Sequence, residues 1–382
     1  MKIHHYKVGF ICGIMMLSSE GFSQDSQMKF SSISDFESGL SRVEKNQEFS
    51  FINRKGKTIT TQKYENAYEM SEGLAAVMKG NKWGFINKDG KEVIPLIYDE
   101  VQNFSLNLAA TRMGDKWGFI DKKGKQKIDL IYDDALSFTE ELAFVKQYGK
   151  WAVINAKNQY VVPPKFDKAE SFSEGLASIA IDGKYGYIDK KGIIVIPCRY
   201  KYARSFSEGR AAVKTDNKRW GFIDRNDVLF VADLFDEVDD FSEGRAVVRN
   251  RRKWGVIDKE GNEVVPVIFD FIEGSSEDRV VVSIKGKYGI MDKSGHEITD
   301  LKYDNIWGFS EGMARVSING KYGYIDKGGQ EVIPLIYDEA YNFSEGMARI
   351  SIFGKNGFVN RKGKETFIQN QAPTKGDLSK NQ

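Results

Sequence analysis

Cys198 and His296 are the only cysteine and histidine beyond residue 24, so they bound any thiol or imidazole chemistry in the rest of the chain. A thiolate nucleophile needs its base within hydrogen-bond reach. These two stand 98 residues apart. Unless the chain closes into a ring, no Cys–His dyad is expected. Zinc needs three or four ligands, and His296 beside Glu297 falls short of that set. Paired carboxylates could cleave a glycosidic bond, but many of the 54 acidic residues recur at fixed structural positions and no pair stands out. The Asp-Lys-x-Gly stretches fit neither the calcium-loop nor the phosphate-loop pattern. No catalytic residue, metal ligand or cofactor is assigned. Cys198, within Ile-Pro-Cys-Arg-Tyr, reads as a small buried residue, with an intermolecular bridge as the alternative.

Charge offers one local candidate. Arg249, Arg251, Arg252 and Lys253 surround Asn250 just before Trp254, four positive charges at a tight hairpin tip that could contact an acidic partner. Lys88, Lys122, Lys190, Lys259 and Lys327 recur at one turn position, which predicts a solvated stripe along one edge. With 56 basic and 54 acidic residues, nothing favours a nucleic-acid partner held by bulk charge. Two departures from the local pattern stand out: Lys201 where other copies carry Asp, and Arg279-Val280 where others carry Met-Ala.

That local pattern is a repeat, and the repeat must position all of these residues. Phe49, Trp83, Trp117, Trp151, Tyr185, Trp220, Trp254, Tyr288, Tyr322 and Asn356 follow one another at 34 residues, with a single interval of 35 between Tyr185 and Trp220. Ten copies result, the first and last atypical, as expected of caps. Each reads as a three-stranded antiparallel meander. Asn319-Gly320 marks a two-residue hairpin between the first two strands. After the second strand, Asp or Asn occurs in every copy and Gly follows three residues later in eight, with Asn158 and Asp227 in the others. That is a type I turn ending in a left-handed residue. The third strand is a β-branched run expected to end at Pro95, Pro163, Pro197, Pro266 or Pro334. Ser-Glu-Gly, six times repeated, reads as the turn into the next unit, with a helix cap as the weaker alternative. Alternation in Trp-Gly-Phe-Ile puts apolar atoms on both faces, so consecutive units should pack aromatic against aromatic. The small residue after the aromatic allows a neighbouring backbone or ring to come close.

The fold expected is all-β: tandem 34-residue three-stranded antiparallel repeats forming an open twisted solenoid. A closed propeller-like ring or two successive arrays are the alternatives.

Lys-Trp-Gly-Phe-Ile at 82–86 and 116–120, Lys-Tyr-Gly-Tyr-Ile at 184–188 and 321–325, and the six Ser-Glu-Gly turns resemble the WG-repeat family of bacterial proteins. The resemblance covers roughly 35–368 and departs at Phe49-Ser50, Trp151-Ala152 and Asn356-Gly357. It implies an often exported, repetitive all-β protein and supplies no catalytic residues.

Residues 1–24 combine Lys2 and Lys7 with an apolar run from Val8 to Leu17, too short to span a bilayer and suited to a secretory leader. Cys12 lacks the surroundings of a lipobox. The organisation expected is a signal peptide at 1–24, a linker at 25–34, the array at 35–368 and a polar tail at 369–382, with no integral membrane segment after cleavage. Export to the periplasm is the destination expected, with the cell surface or the medium as alternatives. The function expected is a non-enzymatic protein-binding or scaffold module whose partner is another envelope or extracellular protein. A purely structural protein and a glycan-active enzyme are the alternatives.

Overall fold

The computed structural model describes residues 32–33, 40–53, 57–344 and 346–367. The expected leader with Cys12, most of the expected linker and the tail lie outside the described residues. Among the described residues there is no helix, and so none long and apolar enough to cross a membrane.

Every 34-residue copy builds one antiparallel sheet, and the three long strands are those the sequence predicts. The second sheet shows the pattern: Leu74–Lys79, Lys82–Asn87 and Glu92–Tyr98 lie side by side, and a two-residue strand, Asn66–Ala67, pairs with the far side of Leu74–Lys79. This fourth strand comes from the stretch just after Tyr64-Glu65, which holds the place of the Tyr-Asp in most later copies, so the chain crosses between sheets at that acidic residue. The sheets follow in chain order, each with a linear strand order and two edges, and none closes into a barrel. The first sheet has three strands, with the isolated bridges Phe49↔Tyr64 and Ile52↔Thr58 where an outer strand would lie. The last has a shortened outer strand, Glu365–Phe367, in uninterrupted register. The chain falls into two compact units, dividing between Ile268 and Phe269.

The outer strand does not stop at its proline. It runs through Pro95 to Tyr98, with register shifts between Trp83, Phe85 and Ile86 on the neighbouring strand. An edge position tolerates the missing N–H, which would break a ladder only in a central strand. At the shift the outer strand presses on the glycine after the aromatic: a methyl group on Gly118 would sit 2.5 Å from the Ile128 carbonyl oxygen. The turns match their sequence signatures. The Gly124 N–H donates to the Asp121 carbonyl at 2.8 Å, and Asn158 and Asp227 take positive φ of 59° and 65° where Gly is replaced. Ser-Glu-Gly is a two-residue hairpin turn with Glu72 and Gly73 at φ of 50° and 86°, and Ser71 bridged to Leu74.

Within each unit, packing joins one sheet to the next. Phe85 meets Phe104 edge-on at 4.8 Å, Phe119 meets Phe138 at 4.9 Å, and Tyr187 meets Phe206 at 4.9 Å. The inter-sheet ladder therefore runs through the third residue of Trp-Gly-Phe-Ile and the Phe before the Ser-Glu-Gly turn. Trp83 instead packs on Tyr68 of its own sheet at 4.7 Å.

Candidate functional site

The hairpin tip at 249–253 is half committed to its own sheet and to the one before it. Arg249 pairs with Glu237 at 2.5 Å and lies over the Trp254 ring at 5.2 Å. Asn250 accepts a hydrogen bond from Arg219 at 2.7 Å, and Lys253 is half-buried. Arg251 and Arg252 project into solvent, both at positive φ, with the Arg251 N–H donating to Asp236 at 2.7 Å. Of the four candidate residues, these two arginines are the ones exposed to a partner.

The lysine stripe is not a free row. Lys122 pairs with Glu72 at 3.1 Å, Lys259 with Glu208 at 3.0 Å, Lys327 with Glu277 at 2.9 Å and Lys190 with Glu140 at 3.7 Å. The same glutamates cap the next turn: Glu208 accepts from the Gly244 N–H at 2.8 Å, and Glu140 from the Gly175 N–H at 3.0 Å. Burial alone would raise the Glu208 carboxyl, but Lys259 and the Gly244 N–H bring it below its ordinary value. Ser71, Ser105, Ser173 and Ser207 each donate to the carbonyl of the Phe before the next turn, at 2.6–2.8 Å. Ser-Glu-Gly is thus both a turn and an inter-sheet clamp.

The Asp at the sheet crossing is a second clamp. Asp99 accepts from Lys82 at 2.5 Å and from the Gly114 N–H of the next hairpin at 2.7 Å, and its own N–H donates to Arg112 at 2.8 Å. Asp133, Asp304 and Asp338 repeat the lysine contact at 2.6 Å. Lys201 breaks this series and shows what replaces it. The longer hairpin of the 35-residue copy supplies Asp216, which binds Lys184 at 2.6 Å and lies 3.7 Å from Lys201. Arg279 has a packing role as well: its Nε donates to the Lys327 carbonyl at 2.8 Å, as that of Arg210 does to Lys259 at 3.1 Å.

His296 is exposed and contacts Asp292 of its own turn at 3.1 Å. Cys198 is half-buried, not fully buried, and burial pushes its thiol up. Among the described residues no group of three or more His, Cys, Asp or Glu could hold a metal ion.

One position combines a constant backbone with changing chemistry. Tyr68, Gln102, Leu136, Glu170, Arg204, Asp239, Trp307 and Tyr341 each follow a two-residue first strand and donate the same backbone hydrogen bond, at 2.9–3.0 Å, to the neighbouring strand. Glu273 holds the equivalent place. In the first unit, Tyr202 and Ser205 donate to the two oxygens of Glu170 at 3.1 and 3.3 Å. Arg204 lies 4.8 Å from the Trp220 ring and 3.5 Å from Asp240. Burial raises the Asp239 carboxyl. In the second unit, Arg315 stacks 3.7 Å from the Trp307 ring centre, and burial lowers its guanidinium. Arg349 covers Tyr341 at 4.1 Å and donates to its hydroxyl at 2.8 Å. Such mixtures of aromatic faces, guanidinium and carboxylate recognise polar partners. Superposing the copies in the sequence would have exposed the row, because the residue before it is always Ala, Val or Ile and the residue two after it is Phe in seven of nine copies, while the position itself runs from Leu to Glu to Arg.

The family described as WG containing repeat matches residues 26–48, 49–83, 83–117, 117–151, 152–185, 185–218, 220–254, 254–288, 288–322 and 322–355. The chain belongs to the WG-repeat family. The Ser-Glu and Tyr-Asp clamps are therefore features of a WG-repeat array in this protein. No curated protein matches the chain. Among solved structures, a eukaryotic initiation factor is similar at 9% identity, covering 84% of this chain and 93% of that one, with a TM-score of 0.48. Hsv2 of Kluyveromyces lactis is similar at 11% identity over 58% of this chain and 90% of that one, with a TM-score of 0.35. PorZ of Porphyromonas gingivalis, a surface component of the type-IX secretion system, is similar at 10% identity over 90% of this chain and 52% of that one, with a TM-score of 0.31. Resemblances this distant carry no functional weight.

Proposed function

We propose that this WG-repeat protein is an exported, non-enzymatic binding module of the cell envelope, acting in the periplasm on another envelope or extracellular protein. The recurring position carries this reading: in each unit one scaffold position, fixed by one backbone hydrogen bond, varies among Tyr, Gln, Leu, Glu, Arg, Asp and Trp from sheet to sheet. Repeat scaffolds recognise partners through such rows. Arg251 and Arg252 add an exposed basic contact at the hairpin tip. The leader-like segment at 1–24 supports export. A structural envelope protein is the second reading, favoured by the ion pairs that consume the lysine stripe.

Affinity purification from the native envelope fraction, with a graded salt wash, tests the proposal. One stoichiometric partner is expected, weakened by Arg204→Ala with Asp239→Ala and by Arg251→Glu with Arg252→Glu. Reproducible recovery of no partner by a folded bait would favour the structural reading.

A further inference from the structure

The outer strands open differently in three consecutive sheets of the first unit. Elsewhere the first two residues after the turn are polar, as in Lys91-Glu92, Lys125-Gln126, Asn262-Glu263, His296-Glu297, Gln330-Glu331 and Lys364-Glu365. In the fourth to sixth sheets they are Gln159-Tyr160, Ile193-Ile194 and Val228-Leu229. All five apolar side chains are exposed: Tyr160 by 44%, Ile193 by 58%, Ile194 by 40%, Val228 by 54% and Leu229 by 41%. Each turn packs on the outer strand of the sheet before it: the Gly192 backbone meets the Val162 side chain, leaving no room for a methyl group, and Asp227 accepts from the Tyr200 hydroxyl at 2.5 Å. Five large apolar groups therefore stand exposed at three successive turns, where a soluble surface would carry charge.

Their surroundings are basic. Lys157, Lys165 and Lys191 are exposed and have no ion-pair partner among the described residues. The turn carboxylates face inward: Asp189 accepts the Lys191 and Ile193 N–H groups at 2.9 and 2.8 Å, and Asp224 accepts those of Asn226 and Val228 at 2.8 and 3.0 Å. Asp227 is held by Tyr200 and by Arg199 at 2.8 Å. Strand addition by a peptide is blunted here, because Pro163, Pro164 and Pro197 occupy the outer strands and lack N–H donors. Protruding aliphatic groups and a tyrosine beside unpaired ammonium groups match a lipid interface, where the apolar tips insert and lysines meet anionic headgroups.

We infer that the turns carrying Tyr160, Ile193, Ile194, Val228 and Leu229 form a peripheral docking surface for an anionic lipid bilayer. Sedimentation of the purified protein with phosphatidylcholine vesicles, with and without phosphatidylglycerol, tests it. Binding to the anionic vesicles alone is expected, reversed by salt. Ile193→Ser with Ile194→Ser should weaken it about tenfold or more, and Lys157→Glu with Lys191→Glu should abolish the preference for anionic lipid. Val93→Ser, exposed by 41% on the second sheet, should leave it unchanged. Circular dichroism of each variant confirms folding, and if one pair unfolds the other carries the test. Equal binding to both vesicle types, or equal loss in Val93→Ser, would overturn the inference. So would a dimer that the isoleucine pair dissociates while the vesicles bind nothing, which would assign the patch to a second copy of the chain.

Discussion

Asp133 joins the outer end of one sheet to the first hairpin of the next, and its charge is what makes the contact. The Lys116 ammonium first, with backbone N–H donors, holds its carboxyl below the ordinary value; Lys82, Lys287 and Lys321 do the same for Asp99, Asp304 and Asp338. A depressed folded value contributes stability that is fully present above the unfolded value of about 3.9 and disappears as pH falls through the folded one. The array should therefore lose stability as pH drops below about 4, and Asp133→Asn should flatten that loss. Thermal midpoints against pH check this, and parallel curves for the two proteins would contradict it. Lys201 offers the reciprocal experiment. Lys201→Asp places a carboxylate beside Asp216, which already holds Lys184. It should lower the midpoint alone, and adding Asp216→Lys should recover it, since Lys184 then faces the introduced carboxylate as Lys116 faces Asp133. Additive losses would show that the two positions do not communicate.

Where the pattern is complete, as between the sheets of Phe222 and Phe241, a sheet is held to its successor by an aromatic pair, a serine bond and a glutamate cap. Glu208→Ala removes the acceptor of the Gly244 N–H and the partner of Lys259. The Gly244 amide should then exchange hydrogen faster, while the Gly312 amide, capped by Glu277, should not. Mass-spectrometric exchange at the two turns separates these outcomes, and unchanged exchange at Gly244 would deny the cap its role. The elements themselves are legible because period, turn dipeptides and alternation all point the same way. Asn158 and Asp227, for instance, announce their positive φ by standing where Gly stands in other copies. Four features are not legible. The outer strand runs past Pro95 because the free edge needs no N–H there, a fact of pairing that proline alone does not disclose. The two-residue first strand is too short for any periodicity. The Glu72–Lys122 pair spans 50 residues, and a repeat read one copy at a time assigns both side chains to solvent. The row at Glu170, Arg204 and Asp239 hides for the opposite reason: its signal is variation, and attention falls on what recurs.

At the scale of the whole chain, the stability of each unit is set by contacts between its consecutive sheets, since the buried clusters combine one sheet with the next. A quasi-one-dimensional array of this kind transmits a defect to its neighbours and little further. Phe119 is fully buried and meets Phe138 of the following sheet. Phe119→Ala should cost about 3–5 kcal/mol locally, the range for removing a buried aromatic. If the sheets were one cooperative block, that loss would lower protection everywhere by the same amount. Nearest-neighbour coupling instead requires faster exchange across 108–155, which holds Phe119 and its partner sheet, with amides in Arg245–Asn250 and Lys253–Asp258 of the same unit unchanged. A uniform drop would show cooperativity that outruns the pairwise clamps. A local one would explain how a chain can vary single positions from Leu to Arg without losing its fold: each sheet answers for its own substitutions, which leaves the recognition row free to differ from copy to copy.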